Sequence, residues 1–230
     1  GQRRVPGGLR REGHRMVNMN SFRRELKAPD MERMRIPRRY WRVSFEEVSD
    51  TVATDTAPSP RRVVQNYLAN MDEMYSRGAG LFLWGPNGSG KTSAAVVIAK
   101  EFRRRGKTVL FVSAAEIKSA VITQEMFDAE QTLWERCRTV KVLIIDDLGK
   151  GTQDGKGFGK RTLDDLIRTR SAHQLVTFVT TNIEPGERDR DTSQDDSEDT
   201  QLKDTVKLST LHTFKECIVP IHFVGPDLRE

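Results

Sequence analysis

One string, Gly85-Pro86-Asn87-Gly88-Ser89-Gly90-Lys91-Thr92, constrains this chain more than any other feature. It fits the phosphate-loop pattern G-x-x-x-x-G-K-[S/T] in full. The apolar run Leu81–Trp84 precedes it. Thr92–Arg105 follows, with Ala94, Val97, Ile98 and Phe102 at helical spacing. The order is therefore strand, glycine-rich turn, helix. In that setting the glycines let backbone N–H groups face a phosphate, and the helix N-terminus adds positive potential. The expected ligand is ATP with Mg2+, bound by Gly85, Pro86, Asn87, Gly88, Ser89, Gly90, Lys91, Thr92 and Ser93. Lys91 would reach the β- and γ-phosphates, and the Thr92 hydroxyl would bind Mg2+.

A second element is Val142-Leu143-Ile144-Ile145-Asp146-Asp147, an apolar strand ending in two carboxylates. It lies about fifty residues after Lys91, as a P-loop fold needs. Asp146 would hold Mg2+, directly or through water. Asp147 would orient an attacking water beside the γ-phosphate. The third element, Thr180-Thr181-Asn182, ends the apolar run Val176–Val179. A polar side chain there would face the gap between the other two strands, sense the γ-phosphate and help place water. The same triplet is also an ordinary turn opener, and alone it favours the turn.

The wider pattern supplies the fold class. Five short apolar runs (Leu81–Trp84, Val109–Val112, Val142–Ile145, Val176–Val179 and Ile218–Val224) are mostly continuous, as strands buried on both faces should be. Helical patterns lie at Arg61–Arg77, Thr92–Arg105, Gln124–Arg138, Arg161–His173 and Gln201–Glu216. This alternation predicts an α/β P-loop NTPase, with a five-stranded, mostly parallel sheet flanked by helices. Ser49–Pro60 reads as a linker or loop. Gly149–Arg161, with five glycines and three lysines, reads as a mobile basic loop. Glu184–Asp204, with nine Asp/Glu, reads as a solvated excursion.

Charge is unevenly placed. Residues 1–42 hold 13 Arg/Lys against 4 Asp/Glu, a net of +9 where the whole chain carries +5, so the remainder carries −4. We therefore divide the chain into a short basic N-terminal arm at 1–42, a partner-binding segment, and an ATPase domain at 43–230. Such an arm can meet nucleic acid or an acidic protein face, or it can be merely solvated. Truncation of Gly1–Arg35 is expected to spare stability. No apolar run approaches the ~20 residues of a membrane span. Cys137 and Cys217 are too few for a disulfide scaffold and fit a reducing cytosol. The histidines and cysteines lack metal-ligand spacing.

Taken in order, these residues resemble the DnaC/IstB-like branch of AAA+ ATPases. The resemblance runs over roughly residues 36–229. It is carried by Ile36-Pro37-Arg38-Arg39-Tyr40 with Phe45, by Gly85–Thr92 and by Ile144-Ile145-Asp146-Asp147-Leu148-Gly149. It continues through Leu166-Ile167-Arg168-Thr169-Arg170 and Thr180-Thr181-Asn182 to Gly225-Pro226-Asp227-Leu228-Arg229. The resemblance implies ATP-dependent self-association into an oligomer, with nucleotide held between neighbouring subunits. It also implies binding to single-stranded DNA and to a replicative helicase hexamer. Asn182 matches the sensor-1 position and joins Lys91, Asp146 and Asp147 as a catalytic residue. The stretch from Tyr40 to Phe45 would border the adenine, and a DNA-contacting insertion would fall at about 114–138. The chain departs from the family pattern in three places. Asp147 stands where many AAA+ proteins carry Glu, which points to slow hydrolysis. The segment 207–215, where an arginine finger is usual, holds no Arg. No cysteine cluster is present ahead of the core. Arg168 or Arg170, on what reads as an exposed helix face, would be the interfacial cation.

The function implied is a cytoplasmic, bacterial or phage ATPase that loads a replicative helicase onto single-stranded DNA during replication initiation, slow without its partner. The alternatives are an IstB-like transposition ATPase assembling on DNA and a weakly hydrolysing ATP-dependent adaptor. A small-molecule kinase is disfavoured because no Arg-rich lid follows Asp147.

Overall fold

The computed structural model describes residues 25–51, 59–124, 132–149, 158–183 and 218–224. Its centre is a five-stranded sheet of β1 (Gly80–Trp84), β2 (Val109–Ser113), β3 (Val142–Leu148), β4 (Val176–Thr181) and β5 (Ile218–His222). The order across the sheet is β2-β3-β4-β1-β5, and all four pairings are parallel. The expected five strands are all present. Pro220 is accommodated because among the described strands β5 lies at an edge, where a missing N–H leaves no ladder bond unmade.

Strand alternation sorts the core into two layers. Leu81, Leu83, Phe111, Ile144 and Phe178 face one cluster, which is closed by α2 (Pro60–Ala69), α3 (Met71–Ser76) and α4 (Lys91–Arg104). Phe82, Leu110, Leu143, Ile145 and Val179 face the other, closed by α5 (Ala114–Gln124), α6 (Leu133–Thr139) and α7 (Phe158–Ala172). Tyr67 of α2 sets its ring edge-on to Phe178 at 5.5 Å, and its hydroxyl donates to the Ala79 carbonyl at 2.6 Å. Each fully buried side chain of this size contributes about 1.5–3 kcal/mol.

Several expectations change. The single helix over Arg61–Arg77 is two, α2 and α3, broken at Asn70. Its side-chain amide donates to the Asn66 carbonyl and competes with the helical ladder. The basic loop is shorter than expected, because α7 already starts at Phe158. Of Ser49–Pro60, Ser59 caps α2 and Pro60 opens it. The segment 114–138, expected as an insertion, contributes α5 and most of α6, which bury Ile117, Trp134 and Cys137 against the sheet. Residues 125–131 of it, and the segments 184–204 and 201–216, lie outside the described residues.

The arm also divides. Residues 1–24 lie outside the described part. Beyond them, α1 (Ala28–Arg33) buries Met31, and Met34 at its C-cap and Ile36 join the same apolar cluster as α4. The Phe111 N–H donates to the Met34 carbonyl at 2.8 Å, and Arg103 pairs with Asp30 at 2.9 Å. Truncation of Gly1–Arg35 therefore removes core side chains, contrary to the expectation that it spares stability. Lys100 of α4 holds the next turn, donating to the carbonyls of Tyr40, Trp41 and Val43 at 3.0, 2.9 and 2.7 Å. Burial lowers its ammonium to a pKa of about 8.

Arg170 corrects the expected interfacial cation. It is 0% exposed. Its guanidinium donates to the Cys137, Val140 and Val176 carbonyls at 2.7, 2.9 and 2.7 Å and to the Thr177 hydroxyl at 2.9 Å. Burial lowers its pKa to about 9. No neighbouring subunit can use this side chain without opening the core. Arg170→Met should cost about 3 kcal/mol or more, because three buried carbonyls lose their donor. Urea unfolding measures the loss. A variant as stable as the parent would contradict this structural role.

Candidate functional site

The three motifs meet at the C-terminal ends of β1, β3 and β4. Because β4 lies between β1 and β3, its last residues stand between the loop Gly85–Gly90 and the acidic end of β3. The loop begins where β1 stops. The Phe223 N–H donates to the Trp84 carbonyl at 2.7 Å, which draws the chain after β5 against Gly85. A Cβ on Gly85 would lie 2.1 Å from the Phe223 carbonyl oxygen, and its φ of 139° excludes most other residues. Gly88 and Gly90 also have positive φ, at 74° and 90°, and Gly90 leads directly into α4.

Lys91 starts that helix. Its ammonium folds back into the loop and donates to the Pro86 carbonyl at 2.6 Å, the Gly85 carbonyl at 2.9 Å and the Ser89 hydroxyl at 3.4 Å. Ser89 closes the turn by donating to the Pro86 carbonyl at 2.9 Å. Pro86 and Asn87 are exposed, and Thr92 and Ser93 are half-buried.

Asp146 shares the α4 face of the sheet with Ile144, and Thr180 shares it with Phe178. The Thr92 hydroxyl donates to Asp146 Oδ1 at 2.8 Å, and the Thr180 hydroxyl donates to the same oxygen at 2.6 Å. Burial pushes the Asp146 carboxyl above its ordinary range, while the Thr180 and Thr92 hydrogen bonds pull it down. A hydroxyl and a carboxylate oxygen are the hard donors that Mg2+ takes, so these residues fit the ion. Among the described residues no group of three or more His, Cys, Asp or Glu could hold a metal.

The strands β3 and β4 slip against each other here. Ile145 pairs with Val179 and Leu148 with Thr181, so β3 carries one extra residue. Asp147 sits in that bulge with φ of 58°, uncommon for a residue with a side chain. Its N–H donates to the Thr180 hydroxyl at 3.0 Å, and the Thr181 hydroxyl donates to the Leu148 carbonyl at 2.7 Å. Thr180 is thus the member of its triplet that enters the site. Sequence reasoning weighted Asn182, which follows β4 and is exposed at the same edge. The signal for Thr180 was its alternation with Phe178, which places it on the face of Asp146.

Tyr40 and Phe45 are half-buried against the apolar cluster under α4. The Tyr40 ring lies 6.4 Å from that of Phe111, and the Arg39 guanidinium covers it at 4.8 Å. The structure therefore gathers the loop, Lys91, Thr92, Asp146, Asp147 and the end of β4, whereas Tyr40 packs toward Phe111 of β2, on the turn that Lys100 holds. Arg168 is exposed on α7, unlike Arg170. The Cys137 thiol is buried and pushed up to about 11. No helix among the described residues is long and apolar enough to cross a membrane.

Comparison with known proteins bears on the family and the fold. The profile of the family described as IstB-like ATP binding protein matches residues 20–208. The replicative helicase loader DnaC of Escherichia coli K12 is 28% identical over 114 residues, 49% of this chain and 46% of the relative. The replicative helicase loader DnaI of Bacillus subtilis is 29% identical over 129 residues, 54% of this chain and 39% of the relative. Less than half of either relative is thus spanned. A crystal structure of the DnaC helicase loader superposes with a TM-score of 0.64 at 17% identity, covering 82% of this chain and all of that one. The fold is that of AAA+ P-loop ATPases.

Proposed function

This chain belongs to the family of IstB-like ATP binding proteins, and we propose that it is an ATPase that loads a replicative helicase onto single-stranded DNA during replication initiation. The observation that carries the ATPase part is the meeting of Thr92 and Asp146 next to Lys91 and the Gly85–Gly90 turn. The loading role is supported by the two helicase loaders the chain resembles.

In this reading the triphosphate lies along residues 85–93. The Lys91 ammonium exchanges the Gly85 and Pro86 carbonyls for the β- and γ-phosphates, which are stronger partners because they are charged. Thr92 and Asp146 hold Mg2+, which when bound neutralises charge on the phosphate oxygens. Asp147 accepts a hydrogen bond from the attacking water and aims it, and Asn182 contacts the γ-phosphate from the end of β4. Tyr40 and Phe45 border the adenine. Almost all of the catalysis is positioning and charge stabilisation.

Asp147 is one methylene shorter than Glu, and residues 207–215 offer Lys207 and Lys215 but no Arg. An arginine finger is worth about 10³–10⁵ in kcat. Turnover by the isolated chain is accordingly slow and rises when a partner completes the site. ATP promotes self-association, with Arg168 rather than Arg170 as the cation on α7. The basic residues ahead of the core contact the helicase or DNA.

Lys91→Ala should weaken ATP binding by about 2 kcal/mol, roughly 30-fold, the worth of hydrogen bonds to a charged group. Nucleotide titration measures it, and unchanged affinity would remove Lys91 from the phosphate site. Asp147→Asn should keep ATP and Mg2+ binding but lose most hydrolysis, by about 10²-fold or more. Steady-state turnover at saturating ATP decides this, and an undiminished rate contradicts the water-orienting role. For the loading role, a hexameric replicative helicase should be retained by the immobilised full chain in the presence of ATP and raise its turnover. Stimulation by duplex DNA with no helicase retained would favour the transposition alternative.

A further inference from the structure

The β3 bulge leaves the Asp147 N–H out of register with the β4 backbone. The Thr180 hydroxyl oxygen accepts that N–H at 3.0 Å, and its proton goes to Asp146 Oδ1 at 2.6 Å. We propose that Thr180 is a positioning residue whose one hydroxyl sets both carboxylates of the site, Asp146 through its side chain and Asp147 through its backbone. The proposal rests on the nucleotide reading above.

The geometry leaves the hydroxyl little choice. With one lone pair taken by the Asp147 N–H, its proton is directed at the carboxylate. Thr180 is 2% exposed, so bulk water is poorly placed to replace either bond. Without the hydroxyl, Asp146 keeps the Thr92 donor from α4 but loses the donor from β4. Thr92 is itself assigned to the metal, so when the ion is bound Thr180 is the described donor left to orient Asp146. Asp147, held at φ of 58°, loses a hydrogen bond to its backbone N–H. Such left-handed residues persist only where their surroundings over-determine them.

Thr181 provides an internal comparison. Its hydroxyl serves the same bulge, donating to the Leu148 carbonyl at 2.7 Å and accepting from the Ile183 N–H at 3.0 Å. These bonds support backbone, whereas those of Thr180 reach the acidic pair. A purely structural role would make the two threonines equivalent. A positioning role separates them by their effect on the metal.

The test titrates a fluorescent ATP analogue into the full chain, first with chelator and then across a Mg2+ series, with thermal unfolding of each variant recorded beside it. Thr180→Val keeps the shape and removes the hydroxyl. It should raise the Mg2+ concentration for half-maximal binding by about 10-fold or more, as losing a partner of a metal-ligating group does. Metal-free affinity should stay unchanged and kcat should fall. Thr180→Ala, which places no methyl against the carboxylate, carries the same expectation should the valine variant not fold. Thr180→Ser should restore the Mg2+ dependence. Thr181→Val should lower the unfolding temperature with the Mg2+ dependence of the parent. Parental Mg2+ dependence in the variants lacking the Thr180 hydroxyl would overturn the proposal. So would an equal shift in Thr181→Val, which would trace the effect to the bulge as a whole. A parent chain that binds no ATP at any Mg2+ concentration would overturn the nucleotide reading and the proposal with it. A parent with normal Mg2+-dependent binding and indifferent variants would overturn the proposal alone.

Discussion

Two hydroxyls from separate elements converge on one oxygen of Asp146, Thr92 from α4 and Thr180 from β4. Hydrogen bonds to a charged acceptor contribute about 1.5–3 kcal/mol each, and leaving such an acceptor unpaired inside the protein costs more than that. The arrangement depends on the strand order. With β4 inserted between β1 and β3, a polar side chain on β4 can reach Asp146 while the loop after β1 stays close. The sheet, the first turn of α4 and the acidic end of β3 are thereby fixed relative to one another. The same oxygens that close this junction are the ones suited to a hard cation.

Two buried cations support that junction at a distance. Arg170 ties the ends of α6 and α7 to the start of β4 through three carbonyls and a hydroxyl. Lys100 ties the turn of Tyr40–Val43 to the middle of α4, the helix that begins at Lys91. Each is a donor with no acceptor capacity of its own, used to satisfy carbonyls that regular secondary structure leaves unpaired. Through Lys100, the turn of Tyr40–Val43 becomes part of the same folded body as α4.

Much of this was legible in the residues. The loop, the strand before it and the helix after it coincide in sequence, and the structure reproduces that order. The carboxylates at the end of β3 were found because an apolar run stops at them. Charge misled in two places. Arg170 was read as exposed from its charge, yet it follows Leu163, Leu166 and Ile167 at helical spacing and so continues their buried stripe. Met31 and Met34 lie among arginines, and the net charge of the arm hid a pair of core residues one helical turn apart. The bulge at Asp147 left no periodic trace, since one extra residue at a strand end resembles a strand that merely stops. The break at Asn70 was visible only as a residue type that competes with helix.

In the proposed function, Mg2+ and the phosphates of ATP lie against Thr92 and Asp146, beside β4. The most direct measurement is an anomalous difference map from crystals grown with Mn2+ and a non-hydrolysable ATP analogue. The expected result is one metal peak within coordination distance of the Thr92 hydroxyl, with Asp146 bound to it directly or through one water, and the triphosphate along residues 85–93. A well-ordered nucleotide bound elsewhere, or a metal held away from both residues, would contradict it.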